Sequence, residues 1–239
     1  APPGASNWRQ LTDIVINEAL THTDEPLEDA IELHNVSSQS VDVGGWWLSD
    51  DPGTLRKYQV PAPRILPPFG FTVIYENEFT NREIAALPFA LSSLGDEIVL
   101  SAATHNALTG WRTKVDFGPA ANGFSFGRYV TSDQREQFVA MSARTFGVDD
   151  PGSVAEFRTG TGQTNAYPRV GPVVISEIMY HPPDLGTNDN TRDEFIELRN
   201  ITTAPVALFD GTNGWHLREA VDFDFPLGTV LPPGDYLLV

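Results

Sequence analysis

EFIELRNITTAPVAL, residues 194–208, repeats a pattern met earlier in the chain. The earlier copy is Asp29-Ala30-Ile31-Glu32-Leu33-His34-Asn35-Val36. Both read apolar, acidic, apolar, basic or polar, Asn, apolar. The likeness spreads outward in order. Val15-Ile16-Asn17-Glu18 anticipates Val174-Ile175-Ser176-Glu177, and His22 anticipates His181. Gly45-Trp46-Trp47-Leu48 anticipates Gly214-Trp215-His216-Leu217, and Ile65-Leu66-Pro67-Pro68 anticipates Val230-Leu231-Pro232-Pro233. A repeat present twice points to tandem domains and not to a solenoid. In an extended strand alternate side chains face opposite sides. Ile31 and Leu33 therefore face a core while Glu32 faces out, and Ile196, Glu197 and Leu198 do the same.

The composition bounds the answer. A chain of 239 residues allows one or two domains, and 41% hydrophobic residues can build a core. No run approaches eighteen apolar residues, so no membrane insertion is expected. No basic-then-apolar leader opens the chain, and Ala1-Pro2-Pro3-Gly4 reads as a linker or trimmed end. The formal charge is −17, from 15 Lys plus Arg against 32 Asp plus Glu. Such a surface repels phosphate backbones and anionic lipid, so nucleic acid is not an expected partner. It suits divalent cations. The absence of cysteine excludes disulfides, thiolate metal sites and cysteine nucleophiles. It leaves the compartment open.

Short runs rich in β-branched and aromatic residues lie between turn residues. Strands are expected at 13–19, 30–36, 46–49, 57–60, 71–75, 97–101, 113–117, 124–129 and 137–141. Turns are explicit at Asp50-Asp51-Pro52-Gly53, Asn122-Gly123 and Asp149-Asp150-Pro151-Gly152. A short helix is expected only at 81–87. Many short strands at even spacing argue for an all-β sandwich or barrel. From 148 to 171 the periodicity dissolves, and this stretch reads as a linker with a short ordered piece at 154–158. The expected division is a complete domain at 10–147, the linker, and a second copy at 172–239. Tyr236-Leu237-Leu238-Val239 matches Phe71-Thr72-Val73-Ile74, so residues 75–146 have no counterpart. The second copy reads as truncated, with one face uncovered and more polypeptide expected after Val239.

These residues resemble the lamin tail domain in its bacterial form. Repeat two carries the pattern in order: Val174-Ile175-Ser176-Glu177, Glu194-Phe195-Ile196-Glu197-Leu198-Arg199-Asn200, Gly214-Trp215-His216-Leu217, then Phe225-Pro226-Leu227-Gly228-Thr229 and Leu231-Pro232-Pro233-Gly234. Repeat one departs at Pro63 and Phe69, which stand where repeat two has Gly228 and Gly234. Its Leu94-Gly95-Asp96-Glu97-Ile98-Val99-Leu100 resembles the family's second-half strand. The resemblance implies an immunoglobulin-like antiparallel β-sandwich without a catalytic centre. It implies a binding or scaffolding module of a larger exported bacterial protein, secreted or at the cell surface. Adhesion or protein–protein interaction is the expected role. The alternative is an accessory module that targets a secreted enzyme to polysaccharide or cell wall. Eukaryotic members can bind DNA, which the charge of this chain opposes.

Candidate sites follow from the same alternation. Trp46 and Leu48 share a face, so Trp46 is the core plug and Trp215 its equivalent. Trp47 then points outward, as does His216, and these two are the candidate contacts for a protein or glycan partner. A neighbouring loop covering Trp47 is the competing reading. Two acidic loops occupy the same place in the repeats, at 24–29 and 184–193. Asp184, Asn188, Asp189, Asn190 and Asp193 could supply oxygens to calcium, although the spacing is not that of an EF-hand. A solvated acidic loop is the alternative, and no cofactor is required. Gly123-Phe124-Ser125-Phe126-Gly127 matches a G-x-S-x-G elbow in letters only, because no helix follows it. His22 and His181 are matched, which suits a local structural hydrogen bond. Asn35-Val36-Ser37 and Asn200-Ile201-Thr202 fit the glycosylation sequon, yet Asn also suits the turn at each strand end.

Overall fold

A computed structural model describes residues 8–218 and 221–239. Ala1-Pro2-Pro3-Gly4 lies outside the described residues. The chain divides into two units, Ala1–Arg169 and Val170–Val239. The strands of the first unit are β1 (Arg9–Gln10), β2 (Ile14–Leu20), β3 (Ala30–Asn35), β4 (Val41–Asp42), β5 (Trp47–Ser49), β6 (Tyr58–Gln59), β7 (Ile65–Leu66) and β8 (Phe71–Tyr75). A helical turn, α1 (Glu76–Phe79), precedes β9 (Asp96–Thr104), β10 (Ala107–Phe117), β11 (Ser125–Val130) and β12 (Glu136–Ala140). A second helical turn, α2 (Val154–Phe157), follows.

Two five-stranded sheets, β1-β10-β9-β5-β6 and β12-β11-β2-β3-β8, supply the facing apolar residues of one core. Every pairing is antiparallel except β1 with β10. Ile16, Ala19, Ile31, Leu33 and Ile74 enter the core from one sheet; Leu48, Tyr58, Ile98, Leu100 and Phe117 enter from the other. The fold is thus the all-β sandwich expected. In β2 a register shift between Ile16 and Glu18 lets both Ile16 and Ala19 face the core. A bulge of this kind resets the alternation by one residue and leaves Glu18 on the outer face.

Two expectations are corrected. Residues 81–87 form turns, and the helical turn lies earlier, at α1, where the Tyr75 N–H donates to Glu78 Oε1. Asn81 instead starts a turn: its Oδ1 accepts from the Glu83 N–H and its carbonyl from the Ala85 N–H. The second correction concerns 148–171, which is not a linker. Through Arg169 it belongs to the first unit. It folds as a strap over the outer face of β2, β3 and β8. Phe146 and Phe157 are fully buried there with Leu20, Ala30, Val73 and Tyr75. Arg158 forms a two-pronged ion pair with Glu28, at 2.7 and 2.6 Å. Residues 167–169 then run beside β12, through Ser142 N–H to Tyr167 O and Arg169 N–H to Ala140 O. A stretch without periodicity can still be structural when its contacts are backbone groups and a few anchors.

The second unit contains β13 (Val173–Met179), β14 (Phe195–Asn200), β15 (Val206–Ala207), β16 (Phe209–Asp210), β17 (Asn213–Gly214), β18 (His216–Leu217), β19 (Phe223–Asp224), β20 (Val230–Leu231) and β21 (Tyr236–Leu238). Its sheet runs β13-β14-β21, with three two-stranded ladders beside it: β15–β20, β16–β17 and β18–β19. The repeat is real at atomic detail. Asn35 Nδ2 donates to Gln39 O, Leu66 O and Pro67 O, while its Oδ1 accepts from Ser37. Asn200 Nδ2 donates to Ala204 O, Leu231 O and Pro232 O, while its Oδ1 accepts from Thr202. Both residues are fully buried, so the turn reading prevails over glycosylation of the folded chain. Replacing Asn35 by Ala strands several buried backbone groups and is expected to cost the first unit about 2–3 kcal/mol. Asn200→Ala is expected to cost the second unit a similar amount. Urea unfolding with hydrogen exchange resolved by unit checks both.

Candidate functional site

The strongest cluster of titratable groups is one the sequence reading did not select. Glu18 on β2 and Glu32 on β3 stand directly opposite each other, and both are wholly buried beneath the strap. Ser125 Oγ donates to Glu18 Oε1 at 2.5 Å. Thr145 donates to Glu18 through its N–H, at 3.1 Å, and its hydroxyl, at 2.5 Å. Glu32 accepts from Asn17 Nδ2 at 2.5 Å and from the Gln163 N–H at 3.2 Å. Asn165 donates to Asn17 O and Arg128 O, closing the network. Gly162 lies so close that a Cβ there would meet Glu32 Oε2 at 2.3 Å. Among the described residues no lysine or arginine side chain donates to either carboxylate. Burial therefore pushes Glu18 up to about 7, against the donors from Ser125 and Thr145. Burial pushes Glu32 up to about 9, and the neighbouring Glu18 adds to this. The recurrence of acids at Glu177 and Glu197 was the available signal. The strap that buries the first pair gave none.

The tryptophans are sorted as expected by face but not by exposure. Trp46 packs on the core with Leu48 on one side of β5. Trp47 points away from that core, yet it is only 7% exposed. Gln59 and Ser101 are its cross-strand neighbours, and the Arg56 guanidinium lies 6.0 Å from its ring. Trp47 is thus covered and does not present a free face, which corrects the expectation of an outward contact. His216 is exposed on β18, as expected. Trp215 is not a core plug; it is 40% exposed. Among the described residues of the second unit no five-stranded sheet stands over it. The exposed indole of the first unit is Trp111, also absent from the sequence reading. It lines a groove of about 290 Å³ with Trp46, Leu11, Val41 and Asp13.

The acidic loop of the second unit is partly assembled. The Leu185 and Asn188 backbones bond to each other across Gly186, which has φ +73°. That tight turn sets Asp184 beside Asp189. His181 joins them, its Nε2 3.9 Å from Asp189 Oδ1, and all three are exposed. Asn190 and Asp193 do something else: Asn190 Nδ2 donates to Asp193 Oδ2 and to Pro183 O. Of the five expected oxygen donors, the structure brings Asp184 and Asp189 together. His22 meets its expectation, with Nδ1 2.8 Å from Ala120 O.

The model of the lamin tail domain family matches residues 9–126 and 167–239. The chain belongs to the lamin tail domain family. Neither a curated protein nor a solved structure matches it. The two lamin tail matches coincide with the two repeats, and the residues between them hold most of β11, β12 and the strap. In this lamin tail protein Ser125 opens a plain strand and is buried, with its hydroxyl given to Glu18. The sharp strand-to-helix turn of a nucleophile elbow is not there. Lamin tail domains are generally non-catalytic β-sandwich modules, and in this chain the buried polar groups Ser125, Glu18 and Glu32 hold strands together.

Proposed function

We propose that this chain is a binding and scaffolding module of a larger exported bacterial protein, acting in adhesion or protein–protein interaction. The observation that carries the reading is the use made of Ser125, Glu18 and Glu32. These groups could serve chemistry, but they are consumed in structural hydrogen bonds: Ser125 and Thr145 donate to Glu18, and the strap's Gln163 N–H donates to Glu32. Among the described residues of the second unit, Ile175 and Ile178 of β13 are exposed. An acidic surface and freedom from cysteine are compatible with the exported setting. No described helix is long and apolar enough to cross a membrane.

One observation favours a second reading, targeting to polysaccharide. The groove beside Trp111 and Trp46 joins indole faces to the Asp13 carboxylate, a pairing that suits sugar rings and their hydroxyls. Retention of the full chain on cellulose, chitin and peptidoglycan decides between the two. The scaffold reading expects no more retention than a Trp111→Ala variant shows. Retention lost on that substitution would install the targeting reading instead.

A calcium ion on the 184–193 loop is a separable part of the proposal. Asp184 and Asp189 would be its anchors, with water completing the shell. Calcium at five times its Kd is expected to add about 1 kcal/mol to the second unit. Equal melting temperatures with calcium and with chelator would remove the ion from this account.

A further inference from the structure

Thr145 precedes the strap and Asn165 lies near its end, with the buried Phe157 midway along the chain between them. Their side chains meet beside Glu18. The Thr145 hydroxyl donates to Glu18 Oε2 at 2.5 Å, and its oxygen lies 3.5 Å from Asn165 Oδ1. One hydroxyl carries one proton. The shorter contact takes it, which leaves the oxygen lone pairs beside the Asn165 carboxamide. That carboxamide is fixed in orientation. Its Nδ2 donates to Asn17 O at 3.0 Å and to Arg128 O at 2.9 Å. Its Oδ1 accepts from Asn17 Nδ2 at 2.6 Å, and the same Nδ2 donates to Glu32 at 2.5 Å. Thr145, Glu18, Asn17 and Glu32 are all buried, so little water competes for the carbonyl. A hydroxyl resting on a carboxylate is the arrangement that activates an oxygen nucleophile. An amide carbonyl polarised by a fixed donor is the arrangement that receives one.

We propose that Thr145 and Asn165 join through a self-formed ester, with Glu18 as the catalytic base. Glu18 takes the hydroxyl proton as Thr145 Oγ1 swings from Asn165 Oδ1 to the adjoining Cγ. The new C–O bond forms, and the carbonyl electrons move onto Oδ1, where Asn17 Nδ2 holds the charge. The electrons return, the C–N bond breaks, and Glu18 passes its proton to the departing nitrogen. Ammonia leaves and the ester remains. The proton has moved from hydroxyl to nitrogen, and no oxidant or reductant takes part. Burial pushes Glu18 up to about 7, so near neutral pH it can both accept and return that proton. A groove of about 330 Å³, lined by Asn17, His34, Asn165 and Tyr167 among others, gives ammonia a way out. The reaction runs once per molecule. It closes the chain from 145 to 165 into a loop that carries the Phe157 anchor. Such a closure restricts the unfolded chain and keeps the strap on the sheet.

The test is the intact mass of the full chain, folded and purified near neutral pH. It is expected to fall short of the sequence mass by about 17 Da, the mass of ammonia. Trypsin cuts after Arg144, Arg158 and Arg169, so residues 145–158 and 159–169 are expected to emerge as one joined pair. Mild alkali is expected to split that pair, as it splits an ester and spares the peptide bonds. Thr145→Ser is expected to keep the mass loss, because it keeps the hydroxyl. Thr145→Val and Glu18→Gln are expected to abolish it. Full mass in the folded wild-type chain would overturn the proposal, with no variant needed. The same loss on unjoined peptides, the mark of a succinimide, would overturn it too. So would a loss that survives Thr145→Val. Each of these results would leave the reading as a binding module standing.

Discussion

Phe157→Ala is expected to lower the stability of the first unit by about 3–5 kcal/mol, the usual loss for a buried aromatic cut back to Ala. The residue lies in a stretch whose composition is that of a linker, where the same change would cost nothing measurable. The structure makes it an anchor. Its ring is fully buried and sits edge-on to Tyr75 at 5.3 Å and to Phe146 at 5.9 Å. Its carbonyl lies 2.8 Å from the Tyr75 hydroxyl. Truncation leaves a void between strap and sheet that neither side can fill, because Gly160 and Gly162 already touch their neighbours. A Cβ at Gly160 would meet Phe146 O at 2.3 Å. Tryptophan fluorescence reports the loss cleanly, since four of the five tryptophans, all but Trp215, precede Val170. With a urea m-value of about 2 kcal/mol per molar, the midpoint is expected to fall by about 2 M. Phe157→Leu is expected to recover most of it. An unchanged midpoint for Phe157→Ala would return residues 148–169 to the status of a tether.

How far the fold can be read from the chain depends on where each contact comes from. Ile31 and Leu33 declare their face by alternation alone, and the core takes both. The Asn at each strand end declares a turn, and Asn35 and Asn200 both make it. The bulge at Ile16–Glu18 declares nothing, since it is a property of two strands in register and not of one. It decides which acids meet. The strap is silent for a related reason. It is held by N–H groups of Thr145 and Gln163, by a glycine that approaches Glu32, and by one aromatic anchor. None of these has a period. Trp47 fails as an outward contact because Arg56, from the β5–β6 connection, lies over its ring and Ser101 flanks it from β9.

The stability of the first unit is expected to fall as the pH rises from 5 to 9, more steeply below pH 7 than above it, by up to about 7 kcal/mol from the two shifts. Glu18 and Glu32 have folded-state values of about 7 and about 9, both above their ordinary 4.5. The folded chain therefore holds their protons more tightly than the unfolded chain does. Their contribution is fully present below pH 4.5, where both states are protonated. It is lost as the pH climbs through the two folded-state values, because the unfolded chain sheds its protons freely while the folded one must be forced to. Each proton withheld costs about 1.4 kcal/mol per pH unit, before the buried network relaxes. Glu18, with its hydroxyl and N–H donors, ionises first. Glu32 is left beside a carboxylate, with one amide and one long N–H for support, and keeps its proton longest. Glu32→Gln removes that titration, so the slope of stability against pH is expected to fall by about half below pH 7 and almost to nothing between pH 7 and 9, whatever the variant does to absolute stability. Net charge also grows more negative over this range, and general repulsion would lower stability without any special pair. Glu83→Gln separates the causes, since Glu83 is exposed and its loss changes the overall charge by the same amount. That variant is expected to keep the full slope. A flat wild-type profile from pH 5 to 9, or equal slopes in the two variants, would show that no proton is stored beneath the strap.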